Sequence, residues 1–80
     1  MIFKNQTSFT SLDLGPAFDG TLQVHITGPG PVAIEFKGED GIYRSFPEST
    51  FEGPKAVLVN VPPVFYRVKI TGGPTTVEVF

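Results

Sequence analysis

Gly and Pro interrupt this chain so often that only short regular elements fit between them. Its 80 residues hold nine Gly and eight Pro, and from Thr21 onward these separate short runs in which apolar and polar residues alternate. Pro supplies no backbone N–H and Gly adopts positive φ freely, so both end helices and mark turns. The spacing i, i+3, i+4, i+7 of an amphipathic helix nowhere persists for two turns. No helix longer than one turn is therefore predicted.

The runs themselves read as strands. Thr21 to Thr27 sets Leu22, Val24 and Ile26 on one side and Thr21, Gln23, His25 and Thr27 on the other, the period of a half-buried strand. Gly28-Pro29-Gly30-Pro31 breaks it, and Val32 to Lys37 resumes the alternation with Val32, Ile34 and Phe36 inward. Asp40-Gly41 then predicts a hairpin whose second strand is Ile42 to Phe46, stopped by Pro47. Pro47 to Pro54 reads as a connecting loop anchored by Phe51, with a short edge strand around Thr50-Phe51-Glu52. Ala56 to Val61 is apolar at nearly every position and reads as a strand covered on both faces, ended by Pro62-Pro63. Val64 to Thr71 turns Tyr66, Val68 and Ile70 inward and Phe65, Arg67 and Lys69 outward. After Gly72-Gly73-Pro74, Thr75 to Phe80 is the last strand. The expected core is Leu22, Val24, Ile26, Val32, Ile34, Phe36, Val57, Val59, Tyr66, Val68, Ile70, Val77 and Val79. The fold class is all-β: a small antiparallel β-sandwich or barrel of about six to eight short strands.

Residues 1–80 form one domain, with 1–19 an arm and first edge strand and 20–80 the sandwich core. Thr7 to Leu12 has strand character, while Ile2, Phe3, Leu14 and Phe18 around it are apolar and need cover. Two arrangements satisfy them. The arm packs over an open end of its own sandwich, or it reaches a neighbour and adds a strand to its edge.

Composition limits what such a domain does. A chain this short buries only about 60% of the surface its unfolded form exposes, so its core is marginal and leans on a disulfide, a metal or a partner. It has no Cys, which removes disulfides and thiolate zinc sites. Another protein surface, most simply further copies of the same chain, is the expected support. A net charge of −2 with interspersed signs argues against a nucleic-acid partner. No apolar run approaches the roughly 20 residues of a membrane-spanning helix, so no membrane partner is expected. The polar opening Met1-Ile2-Phe3-Lys4-Asn5-Gln6 lacks the apolar run of a signal peptide, which predicts a product made in a cytoplasm and not secreted.

Residue chemistry points away from catalysis. Gly28-Pro29-Gly30-Pro31-Val32-Ala33 fits the dinucleotide pattern G-x-G-x-x-A, but a strand follows it where a helix N-terminus is required. His25 is the single histidine, on the outward face of its strand between Gln23 and Thr27, where a lone histidine reads as a solvated strand residue, and no second histidine or cysteine exists to build a transition-metal site. Glycoside hydrolysis needs two carboxylates across a cleft that eighty residues cannot easily wall, and the turn already explains Glu39 and Asp40. No catalytic residue, cofactor or metal site is expected. Exposed aromatics beside arginines are what interfaces enrich. The interface candidates are Tyr43 and Arg44 on the hairpin, Phe65 and Arg67 on the outward row, and Ile2, Phe3 and Phe9 on the arm. Tyr43 and Phe65 also allow a small carbohydrate- or receptor-binding module.

The apolar arm, the strand-turn-strand Val32-Ala33-Ile34-Glu35-Phe36-Lys37-Gly38-Glu39-Asp40-Gly41 and the closing unit Pro62-Pro63-Val64-Phe65-Tyr66-Arg67-Val68-Lys69-Ile70-Thr71-Gly72-Gly73 together resemble the small β-sandwich virion proteins of tailed bacteriophages, among them head-decoration (cement) and head-fibre or neck-associated proteins. The resemblance spans roughly Thr21 to Phe80 and is one of style. It implies a non-enzymatic structural subunit located in the virion, a homo-oligomer such as a trimer, bound to major capsid or neck proteins through a sheet edge and the arm. Tyr66-Arg67-Val68 also looks like the penultimate strand of immunoglobulin-like and fibronectin-like domains, although the core Trp and cysteines of those families are missing.

Overall fold

The computed structural model describes residues 1–15, 20–61 and 63–80. Pro16 and Phe18 of the arm, and Pro62 before the seventh strand, lie outside the described residues. Among the described residues eight strands follow in order: β1 (Ile2–Gln6), β2 (Phe9–Thr10), β3 (Thr21–Thr27), β4 (Val32–Lys37), β5 (Tyr43–Phe51), β6 (Lys55–Asn60), β7 (Tyr66–Ile70) and β8 (Thr75–Val79). No helix occurs among the described residues.

Two four-stranded sheets, β1-β8-β3-β6 and β2-β7-β4-β5, are formed from antiparallel pairs. Only β4 and β5 are consecutive strands paired within a sheet; every other connection changes sheet or crosses over. This strand order is that of a double-sheet jelly roll. Alternation makes the core. Leu22, Val24, Ile26, Val32, Ile34, Phe36, Val59, Val61, Tyr66, Val68, Ile70, Val77 and Val79 are buried between the sheets, and fully burying each such side chain is worth about 1.5–3 kcal/mol.

The turn after β3 shows why Gly is needed there. Gly28 has φ of +115°, and a Cβ on it would stand 2.6 Å from the Pro74 carbonyl oxygen of the turn before β8. The two turns are tied by Thr75, fully buried, whose hydroxyl accepts a hydrogen bond from the Gly30 N–H at 3.0 Å. The G-x-G-x-x-A match thus leads into β4, as the alternation required.

Three expectations need correction. The arm supplies two edge strands where one was expected: besides Phe9–Thr10, within the expected first strand and paired as β2 with β7, Ile2–Gln6 pairs as β1 with β8, so the two lie at the edges of opposite sheets of the same sandwich. The crossing at Thr7–Ser8 closes one long side of the sandwich, and the Phe3 and Phe9 rings meet across it with centroids 5.3 Å apart. Secondly, Pro47 does not stop the hairpin strand. β5 runs to Phe51, with residues 46–49 bulging opposite Ile34; Pro is tolerated at a bulge on an edge strand. Buried Ser49 holds the bulge, donating to the Ile34 carbonyl at 2.8 Å and accepting from the Phe46 N–H at 3.0 Å. Thirdly, β6 is covered on one face only. Leu58 is 74% exposed and Val57 only half-buried, because β6 is the edge of its sheet and no strand or loop lies over its outer face among the described residues.

Candidate protein interface

Two surfaces gather the chemistry of this domain. The first is the outer face of the β2-β7-β4-β5 sheet. Register sets Glu35 between Arg67 and Ser45, and Lys37 beside Tyr43. The Arg67 Nε donates to the Glu35 carboxylate at 2.6 Å, and the guanidinium lies 4.2 Å from the centroid of the Tyr43 ring. Glu35 and Arg67 are both largely covered, so this charge-assisted bond is less screened than a surface pair. The Tyr43 hydroxyl is closed off from solvent and meets no acceptor at hydrogen-bond geometry. Burial first, and then the nearby Asp13 carboxylate, push its pKa up to about 12. Lys37 reaches Asp13 at 3.4 Å and stands 5.9 Å from the centroid of the Phe65 ring. Four charges of this face are paired among themselves, Glu35 with Arg67 and Lys37 with Asp13, and one face of the Tyr43 ring is taken.

The second surface is the long side opposite the β1–β2 crossing, where β5 and β6 are the edges of their sheets. Here the sandwich is open. A cleft of about 320 Å³ runs between the edges, with Phe46, Glu48 and Ser49 on the β5 side and Leu58, Val59 and Asn60 on the β6 side. The two edges differ. β5 carries Pro47, Glu48 and the bulge, features that keep an edge from pairing with another chain. β6, Lys-Ala-Val-Leu-Val-Asn, has no Pro and a single charge at its start.

The phase of the β6 ladder follows from one bond, the Val61 N–H to the Gly20 carbonyl at 2.7 Å. In an antiparallel pair alternate residues exchange hydrogen bonds with a given neighbour, so Val57 and Val59 bond to β3. The N–H and C=O groups of Ala56, Leu58 and Asn60 point to the free edge, and their side chains are exposed on the outer face. On that face, a shallow depression of about 230 Å³ lies over Ala56, rimmed by Gln23, His25 and Leu58.

The sequence-derived candidates distribute as follows. Tyr43 and Arg67 are in contact, with Phe65 at the same face through Lys37. Arg44 stands apart, its guanidinium paired with Asp40 at 2.8 Å at the hairpin tip. That pairing, reinforced by the Ile42 N–H, holds the Asp40 carboxyl down at about 2. Phe3 and Phe9 pack against the core, whereas Ile2 is 47% exposed beside Glu78 on the other sheet. Sequence reasoning missed Leu58, Phe46 and Phe80, all more than half exposed. For Leu58 the signal was present: it shares a parity with Ala56 and Asn60, the smaller and more polar half of its strand.

No family model matches the chain, and neither a curated protein nor a solved structure matches it.

Proposed function

We propose that this chain is a non-enzymatic structural subunit that attaches to a larger protein assembly, in its specific form a virion component of a tailed bacteriophage of the head-decoration or neck-associated kind. The observation that carries the attachment is the unpaired β6 edge, whose outward N–H and C=O groups at Ala56, Leu58 and Asn60 offer a template for another strand. Jelly-roll connectivity supports the virion reading by fold-level analogy, since it recurs in viral capsid domains. The interior supports a surface role as well, because the space between the sheets is filled by aliphatic and aromatic side chains.

Attachment through the arm takes a modified form in this reading. β1 and β2 are paired within the domain; of the four edge strands β2 is two residues long, β1 and β5 carry irregularities, and β6 is the regular edge offered to a partner. Mass spectrometry of purified particles from the source genome tests the proposal: the chain is expected among the virion proteins, and its absence from every particle overturns the virion form.

Lectin domains share this connectivity, and the exposed Phe65 favours a second reading, a carbohydrate-binding module. The Arg67 guanidinium over Tyr43 leaves Phe65 as the main free aromatic of that face. A glycan array with Phe65→Ala as control separates the two: specific hits lost in the variant support the module, and the virion reading expects none.

A further inference from the structure

The β6 edge is complementary to itself. We infer that two copies of this chain associate about a two-fold axis through Leu58, β6 pairing antiparallel with β6 of the second copy to join the two β1-β8-β3-β6 sheets into one. This deepens the attachment reading of the same edge by naming its partner, and rests on that reading only in treating β6 as a binding surface.

Three features of this open side select a second copy. The first is the ladder. With Leu58 opposite Leu58, Ala56 falls opposite Asn60, and the residues whose N–H and C=O face outward all meet residues of the same kind. Such a register forms about six backbone hydrogen bonds with no donor left facing a donor.

The second feature is shape. Leu58 is a knob on the outer face, and the depression over Ala56 lies two residues away on the same strand. Diagonal neighbours across a strand pair come within reach of long side chains. The two-fold sets each Leu58 beside the other copy's depression, covering a leucine that is 74% exposed in the single chain.

The third feature is charge. The only charge on β6 is Lys55 at its start, while Glu48 flanks the cleft near Asn60 at its other end. The antiparallel register carries Lys55 of the second copy to the Val61 end, beside Glu48, and keeps the two lysines at opposite ends of the interface. A strand of another protein would satisfy the ladder, but the match of knob to depression and of Lys55 to Glu48 is a property of this side of the sandwich against itself. The isologous interface closes at two copies, so the particle-free protein is a dimer and not a trimer.

Charge exchange at the axis tests this. Light scattering coupled to size exclusion is expected to give the wild-type chain twice its 8.7 kDa. Leu58→Lys and Leu58→Glu, each checked for an unchanged circular dichroism spectrum, place like charges face to face and are expected to elute at the single-chain mass. Mixed in equal amounts, they return to the dimer mass. A monomeric wild type, a dimeric Leu58→Lys, or a mixture that stays monomeric overturns the axis.

Amide exchange on the unmodified protein gives a second reading that requires no variant. Protection of Ala56, Leu58 and Asn60 amides must rise with protein concentration, and solvent-like exchange at every concentration overturns the pairing. Particle association separates this inference from the function it rests on. A monomeric wild type that binds particles and loses them with Leu58→Lys removes the dimer and keeps the attachment edge; a dimer that rescues as expected but is missing from particles does the reverse.

Discussion

The two long sides of this sandwich are built from similar strands yet end in opposite states. On one side the chain itself crosses from β1 to β2, and Phe3 and Phe9 meet across the gap. On the other, β5 and β6 stop short of one another and leave a cleft. Both sides follow from one economy: with no cysteine to staple sheets together, closure has to come from a crossing strand or from another surface. Spending the first residues on one side leaves the other side open.

Removing the crossing is the most severe way to break this contrast. Deletion of residues 1–12 takes away β1, β2 and both phenylalanines, uncovers β8 and β7, and is expected to abolish cooperative folding in a thermal melt. A β-rich spectrum with a cooperative transition would show that the closed side is dispensable. Phe9→Ala opens the same side more gently. Its ring is partly buried against the core, so a loss of about 2 kcal/mol in a denaturant titration is expected, below the range for fully buried phenylalanines.

On the open side, Ser49→Ala removes the hydroxyl that fixes the β5 bulge to Ile34. Leaving a buried carbonyl and the Phe46 N–H without that partner costs about 1–2 kcal/mol, and an unchanged denaturation midpoint would mean the bulge is held by backbone alone. The smallest effect is at the hairpin tip. Asp40 is held at about 2 against an ordinary value of 3.8, first by Arg44, so its stabilisation is complete above pH 3.8 and fades as pH falls through 2. Nuclear magnetic resonance titration should show Ile42 and Arg44 signals moving in that window. Movement centred near 3.8 would mean the pair is not formed.

Much of the fold was legible because its signals are local. Asp40-Gly41 marks a hairpin within four residues, and the alternation of β3, β4, β7 and β8 identifies inward residues that are all buried; of the expected core only Val57, on β6, is half-buried. The arm was harder to read because the crossing carries no glycine: Ser8 there and Asn5 in β1 adopt φ of 53° and 51°, and of the two only Asn is a residue type enriched in that region, a far weaker mark than glycine. β6 was misjudged for a different reason. Hydrophobicity along a strand reports what its side chains prefer, while cover on the outer face depends on which strands end up beside it. Leu58 between Val57 and Val59 reads like a central strand and sits at an edge. Tyr43 and Arg67 were individually legible as interface types, but their stacking needs the β4 strand between them, a juxtaposition set by pairing across 24 residues of chain.

The pairing of Ile2 with Glu78 has a kinetic meaning. A strand at one end of the chain completes its sheet only by finding a strand at the other, and most remaining pairs are also distant in sequence; β4–β5 alone is joined by a tight turn. Closing such long loops precedes the contacts that reward it. Folding is therefore expected on the millisecond-to-second scale of non-local β topologies, with the β4–β5 hairpin first and the β1–β8 seam last. Until that seam forms, the regular strand β8 is an unpaired edge alongside β6, and the folding chain exposes a second pairing surface that the finished domain has covered.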